Sequence, residues 1–199
     1  MKQLLVDFLP FQITPQQISE SMTSNNGRLL VKGVLQRAEA TNQNGRVYPK
    51  PILEREATKY NDVNIKQRRA LGELDHPDSS IVNLNNVSHN IVEMHWNGND
   101  LVGTVEVLTT PAGNILRELF KAGITLGISS RGMGSVRELG EGKVAVQDDF
   151  DLIAFDFVSN PSTQGAFLKP VNESVNNGLI STNKYNTVNR IITDILTDF

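Results

Sequence analysis

Apolar and polar positions alternate along most of this chain, and that two-residue period marks half-buried strands. Residues 3–9 alternate weakly and read as an edge strand. "RLLVKGVLQRAEA" (28–40) is rich in Leu and Val and reads as a strand, as does "RRALGELD" (68–75), which runs into "HPDSS". "HNIVEMHW" (89–96) and "DLVGTVEVL" (100–108) flank "NGN", a turn signal that predicts a hairpin. "ITLGISSRGMGSVREL" (124–139) and "VAVQDDFDLIAFDFVS" (144–159) read as two long strands joined at "GEGK". Helical spacing interrupts the strands. "KPILEREATKYN" (50–61) places Ile52, Leu53, Ala57 and Tyr60 on one side, and "PAGNILRELFKAG" (111–123) opens with Pro, ends with Gly and gathers Ile115, Leu116, Leu119 and Phe120 on one face. "TPQQISES" (14–21) reads as a short helix or a mobile arm. Strands with a few inserted helices predict an α+β, mostly β fold, an antiparallel sheet or barrel with flanking helices.

The pattern also divides the chain. Residues 1–27 form an N-terminal strand and arm, and 28–170 carry the main domain. Residues 171–199 read as a polar linker, "NESVNNGLISTNKYN", and a final amphipathic helix, "TVNRIITDILTDF". The 199 residues suit one domain with an appendage, and 39 % hydrophobic with 21 % charged residues is the balance of a soluble globular protein.

Charge and cysteine content narrow the chemistry. A formal net charge of −3 speaks against gripping nucleic acid through its phosphates, and "KQRR" (66–69) reads as a solvated face. The absence of cysteine excludes disulfides, thiolate catalysis and cysteine-bound zinc. The apolar run in "MKQLLVDFLPFQ" is broken by Asp7 and Pro10, so no signal peptide is expected, and no run of about 18 apolar residues predicts a membrane span.

A general base near neutral pH is most easily one of three histidines, His76, His89 and His95. His89 and His95 stand six apart in one predicted strand and so share a face. No third ligand has a telling spacing, so they read as histidines of a solvated face, and no metal is expected. His76 ends a strand where Pro77 stops the ladder, which suits either a turn histidine or a rigidly held base. In "TLGISSRGM" (125–133), parity groups Leu126, Ile128 and Ser130 on one face and Ser129, Arg131 and Met133 on the other. With Leu126 and Ile128 in the core, Ser129 and Arg131 point to the more open side, where a nucleophile would stand. Asp156 lies among apolar neighbours in "LIAFDFV" (152–158). It is either a structural carboxylate or one that orients a histidine.

"RVYPKPILE" (46–54), "ALGELDHP" (70–77), "MHWNGNDLVGTVEVL" (94–108), "GISSRGMGS" (127–135) and "DFVSNPS" (156–162) together resemble the prohead core protein proteases of contractile-tailed bacteriophages. That family is related in fold to the herpesvirus assembly proteases, and the resemblance spans roughly residues 28–170. It implies a herpesvirus-protease-like fold and a serine endopeptidase acting inside the phage prohead, in the host cytoplasm, on scaffold core, capsid and internal proteins and on itself. It implies cleavage after Glu in Ile/Leu-x-Glu sequences. It assigns the base to His76 and the nucleophile to Ser129, 53 positions later, with Asp156 where the herpesvirus enzymes have a second histidine. Those enzymes carry arginines after the third member to build the oxyanion hole. Here "FVSNPS" follows Asp156, which leaves Arg131, Ser130 and backbone N–H groups near Ser129 or at 160–165 as donor candidates. Arg131, Arg37 and Arg69 are the candidates for reading a substrate glutamate. No cofactor is implied. The herpesvirus relatives dimerise, which leaves a homo-oligomer open by analogy.

"ISE" (18–20) in the arm marks Glu20 as a self-cleavage candidate, and "LGE" (139–141) falls at a predicted hairpin tip. The competing readings are a non-catalytic prohead core scaffold or adaptor with the same fold, and a small metal-binding module built on the three histidines.

Overall fold

The computed structural model describes residues 3–11 and 14–159. The alternating segments form strands β1 (Gln3–Phe11), β2 (Leu29–Arg37), β3 (Arg46–Val47), β4 (Leu71–Glu73), β5 (Val87–Asn97), β6 (Asp100–Val107), β7 (Leu126–Gly134), β8 (Val136–Gly140), β9 (Lys143–Val146) and β10 (Asp151–Val158). The helically spaced segments form α1 (Pro15–Ser24), α2 (Lys50–Tyr60), which continues as a π-helical turn Asn61–Ile65, and α3 (Pro111–Lys121). The expected mostly β, antiparallel architecture with flanking helices is the one observed.

Two antiparallel sheets carry the fold, in the orders β1-β7-β10 and β2-β6-β5-β4. A parallel bridge between Leu74 and Phe157 joins them, and the Asp75 N–H donates to the Phe157 carbonyl at 2.8 Å. β1 and β2 lie against each other at the far side, so the strands curl around one core. Leu5, Leu29, Val31, Ile91, Val105, Ile128, Phe155 and Phe157 fill it, with Leu116 and Phe120 of α3. A small third sheet, β3-β9-β8, stands apart, with β3 and β9 parallel.

The edge position expected for the first strand holds, because β1 pairs only with β7 within its sheet. Its buried anchor is Asp7, which accepts hydrogen bonds from the Tyr48 hydroxyl, from Arg46 at 3.2 Å and from Asn44 at 3.1 Å. The segment after it is a helix, not a mobile arm. Thr14 and Gln17 form a reciprocal capping box, Pro15 starts the first turn, and Ile18 is buried in the core.

Two long expected strands are each broken in two. Residues 124–139 divide at Ser135, and 144–159 divide at a turn over Gln147–Phe150. Asp149 makes both breaks, since its carboxylate accepts from the Ser135 N–H and hydroxyl at 2.9 Å. Such local side-chain acceptors compete with the ladder, and apolar periodicity does not register them. The expectation that His89 and His95 share a face is overturned. β5 carries a register shift between Ile91 and Glu93, so parity inverts between the two histidines. His89 is fully buried and His95 is exposed.

Candidate active site

The register of β7 and β10 builds the site. Ser129 pairs directly with Asp156, Ser130 with Phe155 and Ile128 with Phe157. Side chains of paired residues lie on the same face of an antiparallel sheet. Ile128, Ser130, Phe155 and Phe157 therefore face the core, and Ser129, Arg131 and Asp156 face the other way. Parity along β7 holds because the irregularity lies in β10, between Leu152 and Ala154. That bulge lets Leu152 and the odd-numbered Phe155 and Phe157 all enter the core, and it turns Asp156 toward Ser129.

The face that carries Ser129 is not open. Ser129 is 1 % exposed and Arg131 0 %, and the segment after β4 meets Arg131 through the Ser79 carbonyl. Ser130 does not reach a substrate either. It sits in the core, where its hydroxyl accepts from Gln36 Nε2 at 2.7 Å, so its candidacy as an oxyanion or substrate group gives way to a packing role.

Asp156 is held on both oxygens. Oδ1 accepts from the Glu73 N–H at 3.0 Å and from Arg131 Nη2 at 3.2 Å. Oδ2 lies 3.0 Å from His76 Nδ1 and 2.9 Å from Arg131 Nε, the latter an ion-pair contact too bent to be a hydrogen bond. An ionised carboxylate can only accept, so it fixes the His76 proton on Nδ1 and leaves Nε2 as the acceptor. His76 reaches this position because Asp75 takes a left-handed conformation, φ +69°, and turns the chain out of β4. Aspartate tolerates that region through its own local hydrogen bonds, and here Asp75 Oδ1 accepts from the His76 N–H at 2.9 Å.

Four buried polar atoms around Asp156 have no hydrogen-bond partner among the described residues: Ser129 Oγ, His76 Nε2, Glu73 Oε2, and Arg131 Nε, which makes only the ion-pair contact. Buried polar atoms are nearly always paired, so the unpaired hydroxyl and imidazole nitrogen flanking one carboxylate mark this cluster as the candidate site. The Asp156 charge also reaches the buried Tyr60 phenol, which burial first, and this charge second, raise above its ordinary value.

Arg131 has a role unlike the one expected. Its guanidinium is wholly enclosed and committed to Asp156, to Glu73 Oε1 at 3.0 Å and to the Ser79 carbonyl at 2.7 Å. Its full enclosure sets it apart from solvent, where an oxyanion donor or a reader of a substrate glutamate was expected. Arg37 pairs with Asp100, and Arg69 donates to the Val63 carbonyl. Neither has a contact with His76, Ser129 or Asp156 among the described residues. β7 is hydrogen-bonded on both sides, so its N–H groups serve the ladder. The donors considered at 160–165 lie outside the described residues.

Sequence reasoning missed Glu73, whose side chain is 0 % exposed and ties Arg131 to the Asn83 N–H at 3.0 Å. The signal was present: a carboxylate between Gly and Leu in "ALGEL" is as anomalous as Asp156 in "LIAFDFV". His89 lies behind the site. Its Nε2 donates to the Phe155 carbonyl at 3.0 Å, and its Nδ1 accepts from the Ser88 hydroxyl at 2.9 Å. Burial drives its pKa down to about 4, against a smaller upward pull from Asp156. Glu20 is exposed on α1, and Glu141 is exposed at the turn between β8 and β9.

Comparison with known proteins gives the family. Residues 11–176 match the family described as prohead core protein serine protease. The chain is 36 % identical over 145 residues to the prohead core protein protease of Enterobacteria phage T4, across 71 % of this chain and 68 % of that protein. The fold matches the bacteriophage T4 capsid assembly protease gp21 with a TM-score of 0.72 at 30 % identity, covering 80 % of this chain and 99 % of that one. A family model matched over most of the chain, a relative of this identity and a shared fold have one reading: this chain belongs to the prohead core protein serine protease family.

Proposed function

We propose that this chain is a serine endopeptidase of prohead maturation, with Ser129 as nucleophile, His76 as general base and acid, and Asp156 as the group that orients His76. The observation that carries the proposal is the 3.0 Å contact between His76 Nδ1 and Asp156, beside an unpartnered Ser129 hydroxyl and an unpartnered His76 Nε2.

The charge count supports the roles. Glu73, Asp156 and Arg131 sum to −1 beside a neutral imidazole. Transfer of the Ser129 proton to His76 Nε2 brings the cluster to zero as Oγ attacks the peptide carbonyl. The imidazolium that forms faces a carboxylate already held by Arg131 and the Glu73 N–H, so little reorganisation is required. His76 then gives the proton to the leaving amine, and water repeats the sequence on the acyl-enzyme.

The substrates in this proposal are scaffold core, capsid and internal proteins inside the prohead, cut after Glu in Ile/Leu-x-Glu, with self-cleavage as a further activity. A fluorophosphonate probe tests the mechanism. Labelling should be lost in Ser129→Ala and kept in Ser130→Ala. Loss only in Ser130→Ala would assign the wrong serine, and labelling of no form at all would favour a non-catalytic core scaffold.

A further inference from the structure

His76 is also the start of a loop whose construction is inverted relative to an ordinary surface loop. The segment 75–86 leaves β4 and returns to it, closed at its base by the Leu74 N–H donating to the Asn86 carbonyl at 3.0 Å. Its backbone is fastened twice more, by Arg131 Nη1 on the Ser79 carbonyl at 2.7 Å and by the Asn83 N–H on Glu73 Oε1 at 3.0 Å. The Ile81 N–H is held by Ser79 Oγ at 3.1 Å. The polar contacts thus run inward to a buried ion pair. The apolar side chains run outward: Ile81 is 76 % exposed and Leu84 72 %, the two most exposed large apolar residues among those described.

A loop that only covered Ser129 would bury its isoleucine and leucine and leave its polar groups in water. Here two apolar side chains three residues apart are kept in solvent on a backbone fixed by groups that also hold Asp156. Such a surface is pre-organised, so a partner that lies on it loses little loop entropy in binding. The loop carries His76, so it borders the proposed site.

We propose that loop 75–86 is a substrate-binding wall of the protease, and that Ile81 and Leu84 contact aliphatic side chains of the peptide being cut. The proposal rests on the serine endopeptidase reading. It makes Ile81 and Leu84 specificity residues, and it makes Glu73 and Arg131 positioning residues for both the loop and Asp156.

The test uses the full chain with Ile81→Ser, Leu84→Ser and the double variant. Both positions are exposed, so thermal stability should match the parent. Two peptides are compared, one with an aliphatic residue near the cleaved bond and one with serine in its place. Each single variant should raise KM for the aliphatic peptide by roughly tenfold, as expected for a lost aliphatic contact, with kcat unchanged. The preference for the aliphatic peptide should shrink by the same factor. Labelling by a small fluorophosphonate, which has no peptide side chains to meet Ile81 or Leu84, should keep its rate. Unchanged KM and preference with intact labelling overturn the wall proposal alone. Unchanged KM with altered sedimentation also overturns it and makes the patch a contact between copies of the chain. Failure to label even the parent overturns the serine reading and this inference with it.

Discussion

Ser129 and Asp156 are direct register partners across β7 and β10, and one extra residue in β10 makes them so. Without the irregularity between Leu152 and Ala154, the strand that points Leu152 into the core would also point Asp156 there and turn Phe155 and Phe157 to the opposite face. The bulge lets a single strand supply three core side chains and one site carboxylate. The same pairing separates the two neighbouring serines, since Ser130 stands opposite Phe155 in the core.

That separation predicts divergent outcomes for two conservative changes. Ser129→Ala removes the proposed nucleophile and should lower kcat by about 10⁴-fold or more, with stability unchanged or higher because an unpaired buried hydroxyl is removed. Ser130→Ala should keep activity within a few-fold and cost about 1–3 kcal/mol, since it leaves buried Gln36 Nε2 without its acceptor. Peptide hydrolysis and urea denaturation on both variants check the pair. Equal activity loss in the two would contradict the register.

Arg131→Met should destabilise the fold rather than alter specificity. It leaves Glu73 and Asp156 as buried carboxylates without their cation and frees the Ser79 carbonyl, a change that costs about 3–5 kcal/mol. Arg131→Lys keeps the charge but cannot meet Asp156, Glu73 and Ser79 together, and should fall between. Urea midpoints measure the loss. A Met variant with parental stability and altered preference at the cleaved residue would return Arg131 to a substrate-reading role.

The parts of this protein legible in its sequence are those governed by periodicity. Strand parity grouped Ser129 with Arg131 and Ser130 with the core, and the apolar surroundings of Asp156 marked it as unusual. The misreadings arise where one residue changes the period. The shift between Ile91 and Glu93 parted His89 from His95, and Asp149 cut two strands where the apolar pattern ran on. Glu73 and the true environment of Arg131 depend on contacts between β4, β7 and the loop after His76. Those contacts are long-range: the local pattern marks Glu73 as anomalous but does not name its partners.

Self-processing should not begin at the N-terminal triplet. Glu20 lies on a capped helix whose Ile18 is buried, so an extended substrate conformation there requires α1 to unwind. Leu139-Gly140-Glu141 lies at an exposed turn where Gly140 and Glu141 take φ of +87° and +52°, and it needs only local rearrangement. In a timed incubation followed by intact-mass spectrometry, cleavage after Glu141 should precede cleavage after Glu20. A helix-breaking Ser19→Gly change should speed the second cut and leave the first alone. Clipping after Glu20 before any cut at Glu141 would show that α1 detaches readily.

The buried His89 predicts how stability responds to acid. Its imidazole is neutral in the fold, with Nε2 donating to Phe155 and Nδ1 accepting from Ser88, and burial lowers its pKa from the ordinary 6.5 to about 4. Gly72 leaves it no room to move, since a Cβ there would stand 2.2 Å from His89 Nε2 and 2.0 Å from the Phe155 carbonyl oxygen. Between pH 4 and 6.5 the unfolded chain binds a proton at this residue that the folded chain does not. The His89 contribution is therefore complete above about pH 6.5, falls as the pH drops through this window, and levels off below about pH 4. The total loss is about 3 kcal/mol at 1.36 kcal/mol per pH unit. Chemical denaturation from pH 4 to 8 on the parent and on His89→Gln separates this slope from that of the carboxylates. The variant is less stable at pH 7, because the Ser88 and Phe155 contacts are imperfectly replaced, but its stability should decline less between pH 6.5 and 4. Parallel profiles for the two proteins would mean that His89 takes up its proton in the folded state as readily as in the unfolded chain.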